Sequence, residues 1–399
     1  MRRVEAIHPG RGNYFRDLAR IHGTPVLLVD SQKIRHQYLA LKAALPGVKL
    51  YYAIKALPHR QVISVLAGLG AGFEIASSGE LELLRQVRIN PRSTIHTHPI
   101  KRDRDIRQAL RFGCTTFVID NTEELLKFIP YKHRIGLMLR LSFRSDDAVV
   151  DLSRKFGCPP EDAPELIRLA ARLGIHIKGL SFHVGSQCRT PDMHVHAVNV
   201  CNQIIRQTHD LGAAPMSLLD IGGGFPVGYD RQVPSIETFT APITQTLKQL
   251  PLHVTVAAEP GRFLVAPAGT ALVSVIGKAW REGRFWYYLD DGIYGLFSGQ
   301  VFDHARYPLA VFSATGRRYP GVLAGPTCDS IDVIAENVML PELHIGDIVL
   351  GRQMGAYTIA SATGFNSLPP AKVVILDGWR PDETRLAPAR TMPAKPRPA

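Results

Sequence analysis

The sequence predicts an α/β chain, a TIM-like (β/α)8 barrel followed by a mostly β domain. Three observations carry that expectation. Eight short apolar runs alternate with amphipathic stretches through the first two thirds of the chain. Beyond Arg262 the strand-like runs continue without long helical stretches between them. The chemically unusual residues also cluster at the ends of the early runs, where a barrel places an active site.

After a lead-in ending in TPVLLVD, the barrel strands are expected at residues 48–55, 71–77, 93–100, 115–120, 134–143, 177–185, 217–225 and 254–263. Helical patterns fall between them at 59–70, 78–87, 104–113, 121–129, 164–174, 195–212 and 236–250. Several of these open on Ser, Asn or Asp and several close on Gly, which are the residues that satisfy free backbone groups at helix ends. The barrel is assigned to residues 30–264. Strand-like runs at 270–280, 285–292, 321–327, 347–353 and 372–377 make the second domain. Residues 265–385 are assigned to it, with 1–29 joining them. Residues 386–399 are basic and Pro-rich, and are expected to be disordered.

At 399 residues the chain can bury two cores. No long uncharged apolar run suggests a membrane span, and the N-terminus lacks the apolar centre of a secretory signal. Five scattered cysteines without a CxxC argue against a disulfide framework or zinc site, so no metal is expected and a cytoplasmic setting fits best. The net charge of +12 is spread among neighbouring acids, as in RDRDIRQALR, and reads as a solvated surface rather than a nucleic-acid footprint.

The site candidates each admit a bland and a chemical reading. Lys55 ends an apolar run and either returns to solvent or is a desolvated nucleophilic amine. Glu74 lies within the next run and Glu80 shortly after it. His183 is a hydrogen-bonded structural imidazole or a flat ring stacked on an aromatic cofactor. Gly222, Gly223 and Gly224 make an ordinary turn or a backbone cradle for phosphate. Arg262 pairs with an acid or grips phosphate. Glu259 is that partner, or the carboxylate that keeps a pyridine nitrogen protonated. Cys328 is a small buried residue or a loop thiol able to act as an acid. Asp303 and Asp329 are turn acids or receive a distal ammonium, and Tyr294 and Tyr357 are core aromatics or polar donors.

Taken in order, YAIKA, FEIASSGE, LSRKFG, SFHVGS, DIGGGFP, EPGR, DGIYGLF, GPTCDSID and GAYT resemble the ornithine/diaminopimelate decarboxylase family. These are pyridoxal-phosphate enzymes of the alanine-racemase-like fold type, with ornithine decarboxylases the nearest branch. The resemblance covers about residues 25–370. It implies pyridoxal 5'-phosphate carried by Lys55 as a Schiff base, with His183 on the ring and Glu259 at the pyridine nitrogen. Ser186, Gly222, Gly223, Gly224, Arg262 and Tyr357 would hold the phosphate. Glu74 and Glu80 would stand near the cofactor, with Glu74 at a position where eukaryotic ornithine decarboxylases carry Asp. Cys328 would reprotonate the substrate carbon. It would enter from the partner subunit of a homodimer together with Asp329. Asp303, Asp329 and Tyr294 would meet the substrate's far end.

Cys328 is followed by Asp329 rather than the Glu of diaminopimelate decarboxylases. Two carboxylates suit a terminal ammonium and repel a distal carboxylate. Decarboxylation of L-ornithine to putrescine is therefore expected first. Lysine, diaminopimelate and a pathway-specific diamino acid are the alternatives. A different class, an inactive antizyme-inhibitor-like binding protein, is disfavoured by the presence of Lys55 and Cys328.

Overall fold

The computed structural model describes residues 2–7, 13–144, 154–312 and 316–377. The proposed tail, residues 386–399, and the first two residues of LSRKFG lie outside them. Eight parallel strands close into a barrel: Lys49–Ala53, Gly72–Ile75, Thr94–His96, Thr116–Ile119, Gly136–Leu141, Ile177–Phe182, Leu218–Asp220 and Thr255–Ala258. The last strand pairs with the first, Ala257 opposite Lys49 and Ala258 opposite Leu50, which completes the ring. All eight fall within the expected runs. A barrel strand is covered on both faces, so its residues are apolar almost without alternation. Phe73, Phe117, Leu137 and Leu180 are fully buried in this way. Loss of one such ring, as in Phe117→Ala, costs about 3–5 kcal/mol.

Outside the barrel the helix starts are fixed by local chemistry. Asn121 accepts from the N–H of Glu124 at 3.0 Å, and Ser77 from that of Glu80 at 3.3 Å. Helix Asp103–Phe112 ends at Gly113, whose φ of 105° suits a residue without Cβ. Helix Ser31–Ala44 has no counterpart in the sequence reading. Asp30 caps it through Gln32 N–H at 2.9 Å, and it carries Ile34, Tyr38 and Leu41 into the core.

The rest of the described chain forms an open sheet organised around one long strand, Gly269–Arg281. Its first half pairs with Ile348–Arg352 and with Val26–Asp30, while its second half pairs with Arg284–Leu289 after a bulge between Val275 and Gly277. The segments Arg2–Arg3, Glu5–Ile7 and Val26–Asp30 therefore sit with the later strands. Apart from the short N-terminal segments, two strands escaped the sequence reading. Leu309–Phe312 is apolar but only four residues long, and Val333–Leu340 contains Glu336 and Asn337, with Asn337 at a φ of 52°. The second departs in its middle from the apolar, β-branched pattern that marks a strand.

Candidate active site

The C-terminal ends of the barrel strands meet around a cavity of about 230 Å3. Lys55 lies in the turn after the first strand and Glu74 within the second. His183 and Ser186 follow Ile177–Phe182, the glycine triplet follows Leu218–Asp220, and Glu259 and Arg262 follow Thr255–Ala258. Tyr357 arrives from the open sheet, its N–H donating to Ala56 O at 2.9 Å. Nine of the residues singled out in the sequence line this cavity: Lys55, Glu74, His183, Ser186, Gly223, Gly224, Glu259, Arg262 and Tyr357.

At the amine end, Lys55 Nζ donates to Glu74 Oε2, and Thr97 Oγ1 donates to the other carboxylate oxygen. The lysine side chain is 42% exposed, but to the cavity, and Glu74 is 1% exposed. Enclosure pulls the amine's pKa down. The charge of Glu74 and the hydrogen bond it accepts more than offset this and hold the ammonium form. Glu80 stands one layer behind, accepting from Ala76 N–H at 2.6 Å. Burial, with Glu74 nearby, pushes its carboxyl up to about 7.

Across the cavity, Glu259 stands against a second acid. Enclosure, then Asp220 and Glu74, raises its pKa well above the ordinary carboxylate range, which favours the neutral acid. Asp220 in turn accepts from Gly222 N–H at 2.9 Å. His183 Nδ1 accepts from Gly185 N–H at 3.1 Å. Burial and the nearby Arg140 and Lys55 keep its ring neutral.

At the remaining end, a Cβ on Gly223 would lie 2.9 Å from Glu259 O and 3.2 Å from His183 Nε2, so the chain approaches this wall only as glycine. Gly222 and Gly224 have φ of 67° and 95°. Arg262 donates to Tyr229 Oη at 3.0 Å, Ser186 Oγ at 3.2 Å and Asp303 Oδ2 at 2.8 Å, and lies 4.7 Å from the Tyr357 ring centre. Its Nε is buried without a partner. A guanidinium with a spare donor beside glycine amides and a serine hydroxyl is a phosphate-binding arrangement. A neutral carboxylic acid and an amine on the same cavity suit a pyridine aldehyde, so these residues fit pyridoxal phosphate.

Some candidates lie elsewhere. Gly222 and Glu80 stand behind the wall. Asp303 is not open to the cavity but is ion-paired with Arg262; a guanidinium within the chain takes the place expected of a substrate ammonium. Cys328 is exposed, and Asp329 accepts from Tyr294 Oη, away from this chain's cavity. The sequence reading also missed cavity residues. Arg140 lies 5.5 Å from the Phe156 ring centre with Nε unpartnered, and its signal was a lone charge inside the apolar run GLMLRL. Thr97 and His98 had no comparable signal. The backbone beside them is tied down by Lys101, whose Nζ donates to His98 O at 2.8 Å and Pro99 O at 2.7 Å.

Comparison with known proteins agrees with this geometry. Residues 31–266 match the family model described as "Pyridoxal-dependent decarboxylase, pyridoxal binding domain". A solved lysine/ornithine decarboxylase from Vibrio vulnificus, complexed with cadaverine, is 52% identical. The match covers 91% of this chain and 98% of that one with a TM-score of 0.88. The lysine/ornithine decarboxylase of Selenomonas ruminantium is 36% identical over 90% of this chain and 91% of its own length. Antizyme inhibitor 2 of Xenopus laevis is 35% identical over 87% of this chain and 79% of its own length. The chain belongs to the pyridoxal-dependent decarboxylases, enzymes that use pyridoxal phosphate to decarboxylate amino acids.

Proposed function

We propose that this chain removes the α-carboxylate of a basic L-amino acid, L-ornithine first, releasing CO2 and putrescine, as a homodimer whose partner subunit completes each site. The observation that carries the reading is the meeting of Lys55, Glu259 and Arg262 on one cavity. When bound, the cofactor supplies an aldehyde for amine attachment and a pyridinium that accepts the electrons of the broken Cα–carboxylate bond.

The chain's own groups then have separable tasks. Lys55 would hold the cofactor through its side-chain amine. Glu74, the hydrogen-bond acceptor of Lys55 Nζ, is placed to take the ammonium proton and free the amine. Glu259, whose pKa is raised, would face the pyridine nitrogen and share a proton with it, a charge-assisted bond in an enclosed site. His183 would stack on the ring, and Arg262 with the glycine amides would hold the phosphate, which would orient the scissile bond rather than leave it free to rotate.

Reprotonation of Cα needs an acid on the open side of the cavity. Cys328 and Asp329 are on this chain's surface, where Cys328 N–H donates to Asn366 Oδ1 at 3.1 Å and the neighbouring Ile331 and Leu368 are exposed. A symmetric pair of chains would bring that turn of one to the cavity of the other and cover the apolar residues. Asp329, fixed by Tyr294, would then meet the distal ammonium. Asp303, neutralised by Arg262, keeps a secondary role there.

Lysine is the second reading, favoured by the Vibrio vulnificus relative, which is named a lysine/ornithine decarboxylase and solved with cadaverine and with putrescine. A substrate panel of ornithine, lysine, arginine and meso-diaminopimelate decides between them by CO2 release. Ornithine is expected to exceed diaminopimelate in kcat/KM by about 100-fold or more, and lysine by about 200-fold at most. A preference for diaminopimelate would remove the ornithine assignment, and no release from any of the four would favour an antizyme-inhibitor-like binder.

A further inference from the structure

Beneath the glycine triplet, on helix Asp192–Arg206, lies His194, which no step above uses. Its ring is fully buried. It stacks on Phe225 with centroids 5.8 Å apart and is met edge-on by Phe239 at 5.8 Å and Phe182 at 6.3 Å. A phenyl ring would fill this aromatic cluster without bringing polar atoms into it. Burial lowers the imidazole pKa to about 4, so the ring is neutral and has one N–H. Nε2 lies 2.9 Å from Gly223 O, while Nδ1 is buried without a partner. A carbonyl oxygen only accepts, so the proton is on Nε2 and Nδ1 is an unpaired acceptor. An unpaired buried acceptor is costly, which asks for a compensating role.

The geometry of the three peptides supplies one. In a trans peptide, C=O and the following N–H point in opposite directions. Gly222 O is tied back by Glu259 N–H at 2.7 Å, Gly224 O by Cys188 N–H at 3.0 Å, and Gly223 O by His194. Each tie aims the next N–H the other way. The peptide held by His194 contains the N–H of Gly224, and among the described residues nothing accepts from the N–H of Gly223 or Gly224. Both residues line the cavity. Glycine peptides flip easily because no side chain restrains φ, so the orientation depends on the ties. Of the three donors, His194 alone is a side chain.

We propose that His194 is a positioning residue, holding the Gly223–Gly224 peptide so that its N–H faces the phosphate of the cofactor. This rests on the pyridoxal-phosphate reading of the cavity. The test compares affinities of the purified full chain for pyridoxal phosphate and for pyridoxal, which lacks the phosphate. His194→Phe keeps the ring and removes the N–H; it is expected to weaken pyridoxal phosphate binding about 3- to 10-fold and to leave pyridoxal binding unchanged. His194→Gln, which retains an N–H donor, is expected to recover part of the loss. His194→Leu serves the same comparison if the Phe variant does not fold. Unchanged pyridoxal phosphate affinity, or an equal loss for both aldehydes, overturns the proposal. A wild-type protein that shows no preference for the phosphorylated aldehyde overturns the cofactor reading as well.

Discussion

The barrel mouth and the turn that carries Cys328 hold their polar groups in opposite surroundings. At the mouth, Lys55 is matched by Glu74, Glu259 by Asp220 and Arg262 by Asp303, all enclosed by the barrel and the open sheet. Burial and close partners shift the titration of Lys55, Glu259 and Arg262 there. In the turn, Cys328 is exposed and Asp329 accepts from the Tyr294 hydroxyl and from Ile331 N–H at 3.1 Å, which keep that carboxyl below its usual range. The contrast shows how the work is divided. In the proposed mechanism, one chain would bind and orient the cofactor with groups already in place, whereas the protonating acid would gain an enclosed setting only when a second chain covers it.

The largest expected effect separates the two regions by kind of failure. Lys55→Ala is expected to lose both the cofactor's imine absorbance and turnover, the latter by at least about 100-fold. Cys328→Ala is expected to keep the absorbance and lose turnover by about 100- to 10,000-fold. Spectra and kcat of the two purified variants check this, and a bleached Cys328→Ala protein would erase the distinction.

A smaller effect sharpens the electrostatic half of the comparison. Burial raises Glu80 from 4.5 to about 7 in the folded protein. Between those values the folded chain binds more protons than the unfolded one, so this group's contribution to stability is full below pH 4.5 and is lost as pH rises to about 7. Glu80→Gln removes that loss. Relative to wild type, the cofactor-free variant is expected to gain stability from pH 5 to pH 7.5 and to show no further change above. Denaturation midpoints at three pH values measure it, and parallel curves would contradict it.

What was readable in the sequence follows the same physical division. The eight barrel strands were legible because both faces are covered, which leaves nearly continuous apolar runs such as IGLMLRL, broken only by Arg140. Val333–Leu340 was not, because an open-sheet strand tolerates Glu336 and Asn337 in its middle. Helix Ser31–Ala44 was hidden behind VLLVD, although Asp30 is a good cap. Within the site, residues that combine rare chemistry with a strand end, such as Lys55 and Arg262, stood out. Thr97 and His98 did not, since their types are common in any loop. His194 escaped because its importance lies in the peptide it touches. Asp303 was legible as an acid near the site, but a sequence cannot say whether an acid meets a guanidinium of its own chain or an ammonium of a substrate.

The most direct measurement is to mix Lys55→Ala with Cys328→Ala. Each is inactive alone, and subunits that exchange at random give half mixed dimers, in each of which one site has both residues intact. Recovery of about one quarter of wild-type turnover is expected. No recovery, from variants shown to exchange subunits, would contradict a site built from two chains.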